Sequence, residues 1–441
     1  MPNPYLPRWE YIPDGEPRVF GNRVYIYGSH DNAGSDKFCD YRLKVWSAPV
    51  DNLNNWTCHG VAFCTRTDGE YKSDTPWTTE GELYAPDVVE KEGKYYLYAY
   101  IFYAKGCVAV SDRPEGPFQL LSQYKVPENS PKVLSEAVFV DPGVLVDDDG
   151  RVYIYCGYQG SYMTEIDSSN MYEIISGSFI PDIIPTDSPH DFFEACSLRK
   201  IGNTYYLIYS PKIGSRLAYA TSASPRGPFE YRGVIIDNGV DYPGGNNHGS
   251  ICEINGQWYI FYHRTTNGTV MSRRDCVERI EIEPDGTIKQ VEMTSLGFEK
   301  SLSPYEIIPA DLACVLKGGG FITEKNIFSR VITNITTGCI IGYKYFDFGE
   351  DFISKTMEFN ISINGMGCKS KLRILIDDYE NGLEIGSVDI GSDSGVYMGA
   401  VKNVTGRHAV YFIVQDRYEG YFTDMFKGRN LFEITSFVFS K

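Results

Sequence analysis

Hydrophobic and polar residues alternate along this chain in short runs, and five of the runs are built around a tyrosine. They are VYIYGS at Tyr25, YYLYAY at Tyr96, VYIYCGY at Tyr153, YYLIYS at Tyr206 and WYIFYH at Tyr259. A glycine precedes each run, and the tyrosines stand 71, 57, 53 and 53 residues apart. Period-two alternation bounded by glycine turns predicts strands. A β-rich unit repeating near every fifty residues predicts the blades of a propeller. Between these runs, SDRPEGPFQLLS from Ser111 and SASPRGPFEYRG from Ser222 are near copies, with SAPVDNLNNW from Ser47 a looser version. Proline lacks the ladder donor, so the Pro-x-Gly-Pro-Phe turn belongs at the exit towards an outer strand.

Past EIEPDGTIKQV, a short hairpin and crossing segment from Glu281, the tyrosine repeat stops. The runs KTMEFNISIN, KLRILIDD, LEIGSVDI, RHAVYFIVQD and NLFEITSFVFS alternate between Gly, Asp and Asn turns, the pattern of a β-sandwich. The chain therefore reads as all-β, with a five-bladed propeller over 1–305 and a sandwich over 306–441. No low-complexity tract separates the two, so they are expected to pack rigidly.

Composition narrows the partners. A formal charge of −17 argues against nucleic acid and anionic membranes, both of which need basic surface. Tyr 34 and Phe 24 suit β-structure and carbohydrate platforms equally. The 11 cysteines are odd in number, scattered singly and without a C-x-x-C pair, which reads as a reduced, cytoplasmic protein without structural zinc. The first residues show no charged and apolar leader, and no apolar run is long enough to span a membrane.

The chemistry lies upstream of the tyrosines. Asp14, Asp87, Asp141, Glu194 and His248 precede the five anchors by 11, 9, 12, 12 and 11 residues. A polar group at one position of every blade converges on the axis. An acid just before a strand is ordinarily a turn former. Asp14, Asp141 and Glu194, however, sit among apolar neighbours at matched offsets, whereas Asp147 to Asp149 take the turn. Carboxyl groups sharing a dry pocket cannot all ionise easily, and their pKa values separate. One then donates a proton while another acts as base, which is what cleavage of a glycosidic bond requires.

These strings, from IPDGEPRVFGNRVYIYGSHD to NNHGSICEINGQWYIFYH, resemble glycoside hydrolase family 43 across all five blades and in order. The family is an inverting, five-bladed propeller acting on arabinose- and xylose-containing glycans. The resemblance implies that Asp14 is the general base, Glu194 the general acid, and Asp141 the carboxylate that orients the acid and raises its pKa. It places Tyr84 and Asp87, of the YAPD string, on the sugar pocket. An arginine of the last blade is expected in the sugar subsite, with Arg273 the better match, Arg274 the fallback, and one of the two a surface charge. His248 resembles an axial histidine beside a water-coordinated calcium, the alternative being a satisfied core histidine. No organic cofactor is implied. The sequence departs from the family where Gly-Glu follows Asp14 and Ala-Cys follows Glu194. The C-terminal strings GYKYFDFG, LRILIDDYENGLEIGSVDI and VTGRHAVYFIV resemble carbohydrate-binding module family 6, a domain that either binds sugar or only buttresses the propeller.

The function expected is an α-L-arabinofuranosidase or β-xylosidase acting on short arabinose- or xylose-containing oligosaccharides. The alternatives are a catalytically silent glycan-binding propeller, or a related enzyme such as a galactofuranosidase or endo-arabinanase. A retaining fructan hydrolase would carry an Asn-Asp-Pro-Asn-Gly segment, which the chain lacks. A phosphorylase would need basic residues around Glu194, and none surrounds it.

Overall fold

The computed structural model describes the whole chain apart from residues 79, 80, 103, 105, 129 and 133–138, with the backbone alone at 423. Five antiparallel meander sheets follow one another. Their first strands are Glu16–Phe20, Leu83–Lys91, Gly143–Val146, Phe192–Ile201 and Ile251–Ile254. Each is followed by its tyrosine strand: Arg23–Tyr27, Lys94–Ile101, Val152–Gly157, Thr204–Pro211 and Gln257–Thr266. The first strand of blade one touches those of blades two and five, and the first strand of blade three touches those of two and four. These first strands therefore line the propeller axis.

The tyrosines join blades. Two residues past three of the anchors, a tyrosine hydroxyl crosses to the next blade: Tyr27 to the Pro114 carbonyl at 2.7 Å, Tyr98 to Met171 at 2.9 Å, and Tyr155 to Pro225 at 2.6 Å. Tyrosine suits the position because its ring fills the interblade core while its hydroxyl finds a partner. Pro114 and Pro225 belong to the two Pro-x-Gly-Pro-Phe turns, which lead into the outer strands Gln119–Gln123 and Glu230–Asp237, as the sequence predicts.

Blade five has three strands among the described residues, ending with Thr269–Ile280. The edge of that strand is met by a side chain in place of a fourth strand. The Asn3 amide donates to the Val277 carbonyl and accepts from the Val277 N–H, both at 2.9 Å. One asparagine thus makes the pair of bonds that a ladder residue would make.

The chain then forms a sandwich. One sheet orders Phe321–Asn326, Ser329–Thr333, Phe432–Ser440, Thr356–Gly365 and Gly395–Lys402, with Ile308–Pro309 added to Phe432–Ser440. The other orders Val315–Lys317, Ile340–Asp347, Arg407–Asp416, Ser370–Ile376 and Leu383–Ile390. The FEITSFVF run is a central strand, and its Phe437 meets Tyr343, Phe359 and Phe412 in the core.

The sandwich is joined to the propeller by buried charge. Asp311 accepts from Arg274 at 3.3 Å and from Arg8 at 2.7 Å. Arg264 donates to the carbonyls of Ala313 and Asp311 at 2.8 and 2.7 Å. Arg274 and Asp311 are each 1% exposed. Replacing Asp311 by alanine strands the Arg274 charge in the interface, and removing one partner of a buried pair costs about 3–5 kcal/mol. Urea unfolding should register that loss, and an unchanged midpoint would contradict the interface.

Candidate active site

Each catalytic candidate lies where an axial strand begins and the backbone turns out of the ladder. Asp14 and Asp141 have φ of 57° and 48°, and Ala195, beside Glu194, has 67°. Such values are uncommon for residues other than glycine. In blade four the ladder is also bulged on either side of Glu194. A bulge re-aims a side chain, and here it turns Glu194 to the end of the axis, where Asp14 and Asp141 also lie.

There they share one cavity of about 430 Å³. Asp14, Asp141, Glu194, His248, Arg273 and Tyr84 line it, with Phe38, Tyr100, Phe102, Tyr158 and Phe193 forming its aromatic walls. A larger groove of about 740 Å³ lies between blade four and the 282–286 turn. It brings together no such set of buried acids.

Asp14 is held on every side. Its Oδ1 accepts from Arg273 Nη1 at 2.8 Å, and its Oδ2 accepts from Ser29 Oγ at 2.6 Å. The same Ser29 oxygen accepts from the Ala85 N–H, beside Tyr84. The Asp14 N–H donates to His263 Nδ1 at 3.3 Å, which leaves the proton of a neutral His263 on Nε2, facing Asn246. Burial, and then the Arg273 charge, push the His263 pKa down to about 3. Arg273 is fixed by Asp31, which takes Nε at 2.9 Å, Nη2 at 3.0 Å and the backbone N–H at 2.9 Å. Burial resists ionisation of Asp14, but the Arg273 guanidinium and the surrounding donors outweigh it and hold its pKa below the ordinary value.

Glu194 is in the opposite situation. No hydrogen bond to its carboxyl is found among the described residues, and burial followed by the Asp14 charge pushes its pKa up to about 7. Asp141 is driven well up by burial and then by Glu194. Asp141 and Glu194 therefore titrate as a coupled pair. His248 Nδ1 lies 3.8 Å from Asp14 and 4.0 Å from Asp141, and burial keeps this imidazole neutral. One group poised to accept a proton and another poised to give one, on one cavity, is the equipment of a hydrolase.

Residues 11–288 match the family model described as Glycosyl hydrolases family 43. The chain belongs to this family. It is 38% identical over 404 residues to a xylosidase/arabinosidase of Thermoclostridium stercorarium, covering 78% of this chain and 82% of the relative. A family 43 β-xylosidase/α-arabinofuranosidase from a compost microbial metagenome, solved with xylotriose in a calcium-free form, is 30% identical. It has a TM-score of 0.54 and covers 66% of this chain and 99% of its own. An arabinoxylan arabinofuranohydrolase of Bacillus subtilis, solved with cellotetraose, aligns over 100% of this chain and 97% of its own, with a TM-score of 0.55. At 23% identity it speaks for the two-domain fold alone. Family 43 enzymes are inverting glycosidases, and this chain is a glycoside hydrolase.

Two expectations are corrected by the family 43 site as it stands here. Asp87 does not line the cavity. Arg18 forks onto it at 3.0 and 2.6 Å, and the N–H groups of Val88 and Val144 take the same two oxygens at 2.7 Å. Its offset of 9 rather than 11 or 12 sets it two or three residues deeper along its strand, roughly 7–10 Å down the axis. Arg274 is no surface charge, because strand alternation sends Arg273 into the site and Arg274 into the domain interface. His248 lines the cavity beside Asp14, which Arg273 engages, and Asp141; no group of three His, Cys, Asp or Glu side chains that could hold a metal ion occurs among the described residues.

Ser29, Asp31 and His263 were not singled out by sequence reasoning. Ser29 and His263 each stand four residues after an anchor tyrosine, where the second strand returns to the axis end. A search for polar residues at that offset would have found both.

Proposed function

We propose that the enzyme releases a terminal arabinofuranose or xylose from short plant-glycan oligosaccharides by single displacement. Asp14 takes a proton from water as the water oxygen bonds to the anomeric carbon. Glu194 gives its proton to the departing oxygen as that bond breaks. Asp141 orients Glu194, and Arg273 keeps Asp14 ionised. The observation that carries this reading is two carboxyls in opposite settings on one cavity: Asp14 is bonded by Arg273 and Ser29, which hold it low, whereas Glu194 is buried with no hydrogen bond to its carboxyl among the described residues, which raises it to about 7. The pentose is supported by the names of the relatives. The modest cavity favours a chain end as substrate. No step uses calcium. With none of the 11 cysteines paired, we place the reaction in the reducing cytoplasm, which cell fractionation tests.

Hydrolysis of nitrophenyl arabinofuranoside, xyloside and galactofuranoside, followed by NMR of the first anomer released, is the decisive experiment. Turnover of a pentoside with inversion is expected. A retained anomer, or cleavage of the galactofuranoside alone, would sink the proposal.

The pH profile follows from the same two groups. Asp14 must be ionised, so activity falls as pH drops through its lowered pKa. Glu194 must be protonated, so activity falls as pH rises through about 7. Replacing Arg273 by methionine removes the charge that favours ionised Asp14. The acidic limb of kcat/KM should then move to higher pH, and an unmoved limb would show that Arg273 does not set it.

A further inference from the structure

Beneath the catalytic groups the repeat has a second layer. Nine residues before the five anchor tyrosines stand Glu16, Asp87, Val144, Ser197 and Ser250, and seven before them, in blades one and four, stand Arg18 and Arg199. Arg18 forks onto Asp87, donates to the Val144 carbonyl at 3.0 Å and lies 3.5 Å from Glu16. Arg199 pairs with Glu16 and donates to the carbonyls of Ile251 at 3.0 Å and Pro17 at 3.1 Å. Ser197 donates to Glu16 at 3.1 Å and meets Ser250 at 2.7 Å. Two guanidinium groups thus tie together the axial strands of all five blades.

We propose that Arg18 and Arg199 are the resident cations of this axis, standing where a bound divalent ion would otherwise neutralise Glu16 and Asp87, and that the propeller is independent of calcium. Calcium takes six to eight oxygen ligands. Here the Glu16 and Asp87 carboxylates and the Val144, Ile251 and Pro17 carbonyls already accept N–H groups. Two fixed positive charges face two carboxylates, so no net negative charge remains to draw a cation in. Arginine also stays charged at any working pH.

The same pair positions Asp141. Asp87 accepts the Val144 N–H and Arg18 donates to the Val144 carbonyl, which pins both polar groups of the residue three after Asp141. Gly143, between them, lies so close to blade four that a Cβ there would stand 2.2 Å from the Cys196 carbonyl oxygen. A shift of Val144 would therefore carry the Asp141 turn with it. This positioning half rests on the role proposed for Asp141, and the cation half does not.

Thermal unfolding of the full chain in EDTA and in millimolar calcium chloride tests the cation half. Coincident midpoints are expected, and a saturable rise with calcium would overturn it. In Arg18→Ser, Asp87 loses its partner, so the midpoint should fall in EDTA and recover partly with calcium. Arg18→Gln serves the same test if the serine variant does not fold. A folded variant that ignores calcium would refute the exchange of guanidinium for metal. The inactive Asp14→Asn protein should melt alike in both buffers, so this arm stands or falls apart from the proposed reaction. For positioning, Arg18→Ser should lower kcat with KM little changed and move the basic limb near pH 7. An unchanged kcat and limb in the folded variant would leave Arg18 a merely structural residue.

Discussion

In Glu194→Gln, kcat/KM on an unactivated oligosaccharide falls by about 10²–10⁴-fold, and the basic limb near pH 7 disappears. Glutamine keeps the shape of the side chain and removes the transferable proton. Because no hydrogen bond to the Glu194 carboxyl is found among the described residues, the exchange breaks no network, and the melting temperature should hold. The effect must depend on the leaving group. An alkoxide needs the proton, whereas fluoride departs without one, so a glycosyl fluoride should lose little. Parallel kinetics on the two substrates read this directly. Equal losses on both would mean that Glu194 places the sugar and does not protonate it. In the same variant Asp141 loses one neighbouring charge that raises its pKa, so the titration of the Asp141–Glu194 pair reduces to that of Asp141.

The blades were legible because their signal is local: a glycine turn, then a tyrosine strand whose period is two. The depth of each upstream residue was also on the page, as an offset of 9 against 11 or 12. Treated as one equivalent set, the five residues concealed that Asp87 belongs to a lower layer. Its true partner, Arg18, is a blade away and 69 positions distant in sequence. Nothing in a strand run announces such a pairing. Arg273 and Arg274 could be told apart only by register, since Thr265 faces Arg273 and Arg264 faces Arg274 across the hairpin. In the sandwich, Gly395–Lys402 escaped notice because its exposed face carries Val396, Met398 and Ala400, so burial alternates along the strand while residue type does not. The fifth blade shows three strands among the described residues, and the group that meets its edge, the side chain of Asn3, lies 274 positions from Val277 and leaves no strand pattern to read.

Asp14→Gly should show the second large effect, a loss of about 10²–10⁴-fold in kcat together with loss of the acidic limb. Glycine is the apt replacement because Asp14 has a φ of 57°, a conformation glycine adopts without strain. The folded state should therefore survive removal of the side chain. Arg273 keeps its three bonds to Asp31, so its positive charge stays beside the vacated space. A small anion can enter there, and azide attacking from the side that water used would form a nitrogen–carbon bond as the carbon–oxygen bond breaks. Glu194 still supplies the proton to the leaving oxygen. Addition of azide should restore turnover and yield a glycosyl azide of inverted anomeric configuration, identified by NMR. Asp14→Asn, which fills the space with an amide, should be equally slow and gain nothing from azide. Rescue of both variants alike, or a product of retained configuration, would remove Asp14 from the face on which water attacks.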